Sequence, residues 1–558
     1  MKTPCFNNSF VASCIAAASF AASPASAGSD WTAAGRDLSN SRNQPDETRI
    51  SPASVPSLSV KWAFTSAGDV TANPAVEGDH LYFPDAAGYL YKVDRRSGKL
   101  IWKFPVSDYT GIPGDYARAT PAIAGDALIL GNQTGKNLEI FGAPPPQGAW
   151  VFAVDKRTGK ALWKTQIDST KRSMVTHSAI VANGTAYVGV ASNEELVAGI
   201  VTKAPNQYAP QFGSWVWEFR GSVVALDVKT GAIKWKTYTA PEGYFGASVW
   251  GSTGAVDLKR KQLYMATGDN FWEPEAVQAC VAAAQAKQQD PSSCQAKDAY
   301  FDSIIAFDLD TGKVNWAKRG MSYDTWNVGC GLFVPGFTIP PNDNCPNPKG
   351  PDWDFAQGPM LIGDDDDAIV GAGQKSGMFW AFKARNGELA WRTQVAPGGL
   401  TGGLQWGSAY DGKRIYVASS NAGPVLGSGQ DAQPWKLKDG SSTTAGGWAA
   451  LDPKTGKLIW TTADPLGGRA EGAVSVANGV MFGCNLEYNP SNPALGAGHY
   501  YALNAATGKP IWSSPTTGAC AAGPSISKGM VYWGSGTFRG TTPNKVFGFG
   551  LPAAYGDD

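Results

Sequence analysis

IAFDLDTGKVNW, residues 305–316, decides the fold, because the chain repeats it with small changes. The other copies are YKVDRRSGKLIW (91–102), FAVDKRTGKALW (152–163), VALDVKTGAIKW (224–235), WAFKARNGELAW (380–391), AALDPKTGKLIW (449–460) and YALNAATGKPIW (501–512). In each, Gly stands four residues before the final Trp. A polar turn-former stands eight before it, except in the fifth copy, where Lys383 takes that place. The pattern reads as an apolar strand, a tight turn needing positive φ at Gly, and a second strand ending in Trp. A strand-only unit recurring at roughly 40 to 80 residues is the signature of a propeller blade.

Two fragments extend the count from seven to eight. LSVKWAF (58–64) carries Trp62 but lacks the preceding strand and turn, while KVFGFGLP (545–552) supplies a strand without the Trp. Joined, they close a ring and leave no open sheet edge. The expectation is an all-β, eight-bladed β-propeller with Trp-docking repeats, its N- and C-terminal strands sharing one blade. It occupies residues 28–558 as one domain. The 67 Gly, 37 Pro and 21 Trp suit many turns and a girdle of indoles.

Residues 1–27 read as an export signal. Lys2 precedes the apolar FVASCIAAASFAA, and Ala25-Ser26-Ala27 offers a cleavage site of small residues before Gly28. Cys14 lies too early for a lipoprotein acceptor, and no later segment is long and apolar enough to span a bilayer. The expected location is the periplasm. Lys+Arg and Asp+Glu both number 47, so the basic excess of a nucleic-acid binder is missing. Without Cys5 and Cys14, six cysteines remain, an even number that predicts disulfides in an exported chain. Of the fifteen possible pairings, the sequence-local one is Cys280–Cys294, Cys330–Cys345 and Cys484–Cys520. The first would staple a helical insertion, EAVQACVAAAQAKQQDPSSC (275–294). No CxxCH occurs, so no covalent c-type haem is expected.

A propeller by itself implies no chemistry. The three histidines, His80, His177 and His499, lie in no recognisable motif, which argues against a zinc site or a Ser-His-Asp triad. Asp364 to Asp367 reads as a solvated turn rather than a calcium loop. The blade rhythm is interrupted near strand ends by GDYARATPAI, SMVTHSAIVANGTAYVGVASNEELV, FGASVWGS, YMATGDNFWEP, YDTWNVGCG, VGAGQKSGMFWAF and GGLQWGSAYDG. Any one of these is explicable as structure.

Their order, together with the opening DWTAAGRDLSNSRNQ, resembles the pyrroloquinoline-quinone-dependent alcohol dehydrogenases over essentially the whole mature chain. DTWNVGC, GPDWDF, AGQKSG and GGLQWGSAYDG are most similar to the polyvinyl alcohol dehydrogenase branch. The resemblance implies Trp250 as an aromatic floor under the flat cofactor. It implies Ser248, Thr176, Ser192 and Asn193 as its hydrogen-bonding contacts, and Arg118 as partner of a cofactor carboxylate. Lys375 would stand beside the quinone oxygens, and Gln405 falls where relatives often carry Asn. Calcium would be held by Glu194 with Asp269 or Asn270. A lanthanide is disfavoured, since the extra Asp of such relatives corresponds to Gly329.

The chain departs from its relatives at two points. The family's Asp-x-Trp-Asp reads Asp324-Thr325-Trp326-Asn327 here, which removes the general base and leaves Asp324 as the candidate. Ile112-Pro113 stands where many relatives carry a vicinal Cys pair, so the cover of the cofactor is differently built. The resemblance thus implies a PQQ- and calcium-dependent dehydrogenase of alcohols, secondary and polymeric ones such as polyvinyl alcohol included, with Asp324 and Lys375 catalytic. A separate cytochrome c would take the electrons. The alternatives are a non-catalytic envelope scaffold and a sugar or aldose quinoprotein of the same fold.

Overall fold

Gly312 shows why the phrase repeats. Its φ is +71°, and a Cβ there would lie 2.4 Å from the ring of Trp235, the closing Trp of the preceding copy. Each Trp therefore docks on the next turn as well as ending its own strand. In most copies the indole N–H then donates to a backbone carbonyl of that turn: Trp62 to Arg95 (3.0 Å), Trp163 to Val228 (2.9 Å), Trp235 to Leu309 (3.1 Å), Trp316 to Ala384 (3.1 Å), Trp391 to Pro453 (3.0 Å) and Trp460 to Ala505 (3.0 Å). Trp102 packs on Gly159, but its N–H has no partner among the described residues. Trp512 donates to Leu58 at 2.9 Å and so locks the last repeat onto the first.

The polar residue eight before Trp caps the same turn. Asp308 Oδ1 accepts from the backbone N–H of Asp310 (3.2 Å) and Thr311 (2.9 Å) and from the Thr311 hydroxyl (2.7 Å). Asp155, Asp227 and Asp452 repeat this arrangement. In the fifth copy Lys383 pairs instead with Glu388 at 2.8 Å. The turn survives the exchange because Gly387 N–H still donates to the Lys383 carbonyl at 2.9 Å.

In this computed structural model the described residues are 1, 29–133, 147–201, 217–334, 337–421, 432–486, 498–536 and 544–552. Eight antiparallel sheets begin with strands at Ala75, Ala122, Ile180, Ala255, Met360, Ala409, Ser475 and Ser525. The strand Ser59–Ser66 pairs with Asn544–Gly550, Trp62 opposite Gly548, and completes the eighth sheet. The ring is the predicted eight-bladed propeller. Hydrophobic clusters fill the wedges between adjacent blades, as where Val223 and Trp235 of one sheet meet Leu263 and Phe307 of the next.

Among the described residues three α-helices interrupt the sheets: α1 (Val106–Thr110), α2 (Glu194–Ala198) and α3 (Glu275–Ala286). α3 is the predicted insertion, stapled by Cys280–Cys294, and the other disulfides are Cys330–Cys345 and Cys484–Cys520. All three are the sequence-local pairs, and they fit an oxidising compartment outside the cytoplasm. Asp364–Asp367 is an exposed turn. Among the described residues no helix is long and apolar enough to cross a membrane. Apart from Met1, the segment expected to be an export signal, with Cys5 and Cys14, lies outside the described residues.

Candidate active site

The segments that lead into several first strands converge on a cavity of about 290 Å³. One wall comes from the third blade, whose strand Thr185–Ser192 runs through Asn193 into α2. The Ser192 hydroxyl accepts from Glu194 N–H at 3.0 Å and turns the chain there. Ser192, Asn193, Glu195 and Leu196 all line the cavity. A second wall is Ser248 and Trp250, and Thr176 donates to the Trp250 carbonyl at 3.1 Å. The Trp250 ring meets Trp406 edge-on, with centroids 5.6 Å apart at 75°. Lys375 Nζ stands 5.3 Å from the Trp250 ring, and the Arg118 guanidinium 5.3 Å from that of Trp406.

Lys375 is the centre of charge. Its Nζ reaches Asp352 Oδ1 at 2.7 Å and Asp354 Oδ2 at 2.8 Å. Asp269, Asp352 and Asp354 bring carboxylate oxygens within 4.8 Å of one another. Two full charges at that separation repel by about 3 kcal/mol at an effective dielectric near 20. Burial, then the neighbouring carboxylates, hold Asp269 well above the ordinary Asp range. Burial likewise raises Asp352 well above that range, against the pull of Lys375. Burial also pushes Glu195 up to about 7, although Lys375 opposes it. The same carboxylates hold the Lys375 ammonium well above its usual value despite its burial. The nest therefore retains protons at neutral pH unless a cation replaces them.

Several expected residues reach this cavity and others do not. Arg118, Thr176, Ser192, Asn193, Ser248, Trp250, Asp269 and Lys375 line it. Glu194 does not, because its two oxygens accept from the backbone N–H of Glu218 (3.2 Å) and Phe219 (3.1 Å). Its neighbour Glu195 is the carboxylate on the wall. Asn270 is fully buried beside the cavity rather than on it, with both amide atoms lacking a partner among the described residues. Gln405 also stays off the wall and donates to the Gly402 carbonyl at 3.1 Å.

Asp324 departs from expectation most. It is fully buried and accepts from the backbone N–H of Asp352 (3.0 Å) and Trp353 (2.7 Å), so it holds the loop that carries Asp352 and Asp354. No donor among the described residues reaches the Asp302 oxygens, which face Asp324. A proton on Asp302, donated to Asp324, resolves that contact, and Asp302 is indeed held well above the usual range by burial and its acidic neighbours. Asn327 is structural, donating to Phe271 and Asn344 carbonyls at 2.9 Å. Ile112 and Pro113 do not line the cavity, whose apolar surface comes from Met174, Leu196, Phe271 and Val328. None of the three histidines lines it.

Reading by residues passed over Asp352, Asp354, Glu195 and Gln133. A signal for Asp354 existed: the Trp-Asp step of the family motif occurs at Trp353-Asp354 as well as in altered form at Trp326-Asn327. The cavity also presents unsatisfied groups to any occupant. Ser248 Oγ, Asn193 Oδ1 and Gln133 Oε1 line it without a hydrogen-bond partner among the described residues. The Ser248 hydroxyl can donate to an occupant, whereas the Asn193 and Gln133 amide oxygens can only accept from one. A flat polyanion seated on an indole suits the Arg118 and Lys375 cations and that hydroxyl, and a hard divalent cation suits the carboxylates.

The family model described as outer membrane protein assembly factor BamB matches residues 49–214, 375–483 and 445–542, more than half of the chain. A polyvinylalcohol dehydrogenase of a Pseudomonas species is 28% identical over 92% of this chain and 74% of its own length. That of a Sphingopyxis species is 28% identical over 94% and 77%. The solved quinohemoprotein alcohol dehydrogenase of Pseudomonas putida shares the fold, with a TM-score of 0.65 at 17% identity over 94% of this chain and 80% of that one. The chain thus belongs to the family of Trp-docked propeller repeats that the model describes, and its end-to-end resemblance sets it among the quinoprotein alcohol dehydrogenases, beside the polyvinylalcohol dehydrogenases.

Proposed function

We propose that the protein is a periplasmic, PQQ- and calcium-dependent dehydrogenase that oxidises alcohols, secondary and polymeric ones such as polyvinyl alcohol among them. The observation that carries this reading is the Lys375 ammonium clamped between Asp352 and Asp354 above the Trp250 face. A propeller serving only as a scaffold has no use for carboxylates buried around a lysine, since an unpaired buried charge costs several kcal/mol.

Pyrroloquinoline quinone, when bound, supplies the acceptor for the hydride leaving the alcohol carbon, and calcium supplies Lewis acidity toward it. Trp250 would give the cofactor its floor. Arg118 would pair with a carboxylate, while Ser192, Asn193, Ser248, Thr176 and Gln133 would meet its polar rim. Asp269 and Glu195 would hold calcium, because both reach the cavity and neither is salt-bridged to Lys375 within the described residues. Asp354 replaces Asp324 as the general base. It lines the cavity, and its Oδ1 is oriented by Asp269 N–H at 2.6 Å. Its Oδ2 pairs with Lys375 Nζ at 2.8 Å, and it would accept the hydroxyl proton. Asp324 acts one step back, as the residue that positions the Asp352–Asp354 loop. A separate cytochrome c would receive the electrons.

Reconstitution tests the reading. Apo-protein is given pyrroloquinoline quinone and calcium, and dye reduction is followed with primary, secondary and polymeric alcohols and with aldoses. Alcohol-dependent turnover requiring both additions is the expected result. Folded protein that binds no cofactor at micromolar levels would leave the scaffold reading, and preference for aldoses would move the enzyme to the sugar class.

A further inference from the structure

We infer that the propeller axis carries a binding site for one small inorganic monovalent anion, of halide size, at Arg42. Segments leading into seven of the eight first strands line a second, smaller cavity of about 50 Å³: Thr71–Asn73, Arg118–Thr120, Thr176 with Ser178, Ser252, Trp406, Ala473, and Ala521 with Gly523. Arg42, from the segment before the first blade, completes the wall. It is 1% exposed. One water takes about 30 Å³ in the liquid, so the space suits a water or two, or an ion of similar size.

The chemistry of the wall is one-sided. Arg42 offers five N–H donors. Its protein bonds are two long ones, Nη1 to Asn73 Oδ1 at 3.3 Å and Nη2 to the Trp406 carbonyl at 3.4 Å. Nε has no partner among the described residues and sits against Gly407, where a Cβ would lie 2.4 Å from it. No described carboxylate pairs with Arg42. Glu471, bonded to the Trp406 of this wall, accepts from Trp406 Nε1 and Ser420 Oγ, each at 3.1 Å, and does not line the cavity. The other groups lining the cavity are the Arg118 cation, hydroxyls, an amide and small apolar side chains. Burial lowers the Arg42 guanidinium only to about 10, so it stays charged at neutral pH. The Thr176 and Ser252 hydroxyls already donate to the Trp250 and Trp406 carbonyls, so the donors left on this wall are the guanidinium N–H groups and the hydroxyls of Thr71, Thr120 and Ser178. A buried cation without an anion is costly, and such donors are what an anion needs. Arg118 and Thr176 belong to both cavities, so the ion would lie next to the cofactor site without being part of it.

The test is independent of activity. Crystals of the full chain grown in sodium bromide are examined for anomalous scattering. In parallel, thermal unfolding is followed from zero to about 100 mM bromide, with ionic strength held constant by sodium gluconate, an anion too large for the cavity. The expected results are a bromide peak beside Arg42 and a saturable rise in Tm of about 2 °C. Arg42→Met should lose both, whereas Arg42→Lys should retain a weakened response. If Arg42→Met does not fold, the bromide peak in the unaltered protein decides alone. No peak at Arg42, with identical unfolding in bromide and gluconate, would overturn the proposal and leave ordered water in the cavity.

Discussion

Asp302 and Asp308 bracket one strand, Ser303–Asp308, and meet opposite fates. At the rim, Asp308 is held below the ordinary range, first by the Thr311 hydroxyl and then by backbone N–H groups of its own turn. At the other end, Asp302 is held well above it, first by burial and then by Asp324 and Asp354. The rim aspartate finds donors within three residues of itself. The inner one finds only other acids, brought from loops more than twenty residues away. A carboxylate stabilises this fold where the local turn answers it, and strains the fold where distant segments crowd it with its own kind. Under the proposed function, that crowding would ready the site for a cation and a base.

Breaking the inner end should cost activity and spare the fold. Asp354→Asn keeps the size and the bond from Asp269 N–H but cannot accept a proton, so kcat should fall by about 10³ with unchanged unfolding. Steady-state turnover of the reconstituted enzyme, beside its denaturation curve, checks this. Retained kcat would return the base to another group. Breaking the rim should do the reverse. Trp235→Ala removes an indole docked on the next turn and should cost about 3 kcal/mol in denaturant unfolding, while activity per folded molecule is kept.

The smallest effect sharpens the comparison by its sign. Glu195 and Asp324 lie near 7 in the folded apo-protein, against about 4 when unfolded. The folded state therefore binds protons more tightly, so the stability they lend is full below about pH 4 and declines as pH rises toward 7. Apo-protein should lose stability steadily across that window, and calcium with cofactor should flatten the slope. Asp308, held low, behaves oppositely. Its contribution is present above its unfolded value near 4 and fades as pH falls. Asp308→Ala should thus destabilise by about 1 kcal/mol at neutral pH, whereas Asp302→Asn, which mimics the protonated acid, should be neutral or stabilising. Equal losses from both would erase the distinction.

What could be read in the sequence follows the same divide. The turn of each blade is complete within twelve residues, so Gly312, Asp308 and Trp316 announce it without help from the rest of the chain. Trp250 and Lys375 drew attention because each stands in a distinctive short phrase, and both line the cavity. Glu194 and Glu195 defeated the reading because adjacent residues look alike in a sequence. The choice between them rests on Ser192 turning the chain and on the N–H groups of Glu218 and Phe219 claiming Glu194. Asp324 and Asp354 were confused for a similar reason: the motif's Trp occurs twice, and only the folded loop shows which copy faces the cavity.

The sequence by itself thus determined the number of blades and the closure of the ring, since each depends on short-range spacing or on a repeat that can only bury its apolar faces against its neighbours; among the fifteen disulfide pairings it favoured the sequence-local one, and the structure shows those pairs. The tertiary structure alone decided which carboxylates meet Lys375, which acid stands behind them as support, and that Arg42 is buried on the axis without a carboxylate partner among the described residues. Those relations join segments from several blades, and electrostatic energy depends on distance and burial, which residue order does not carry.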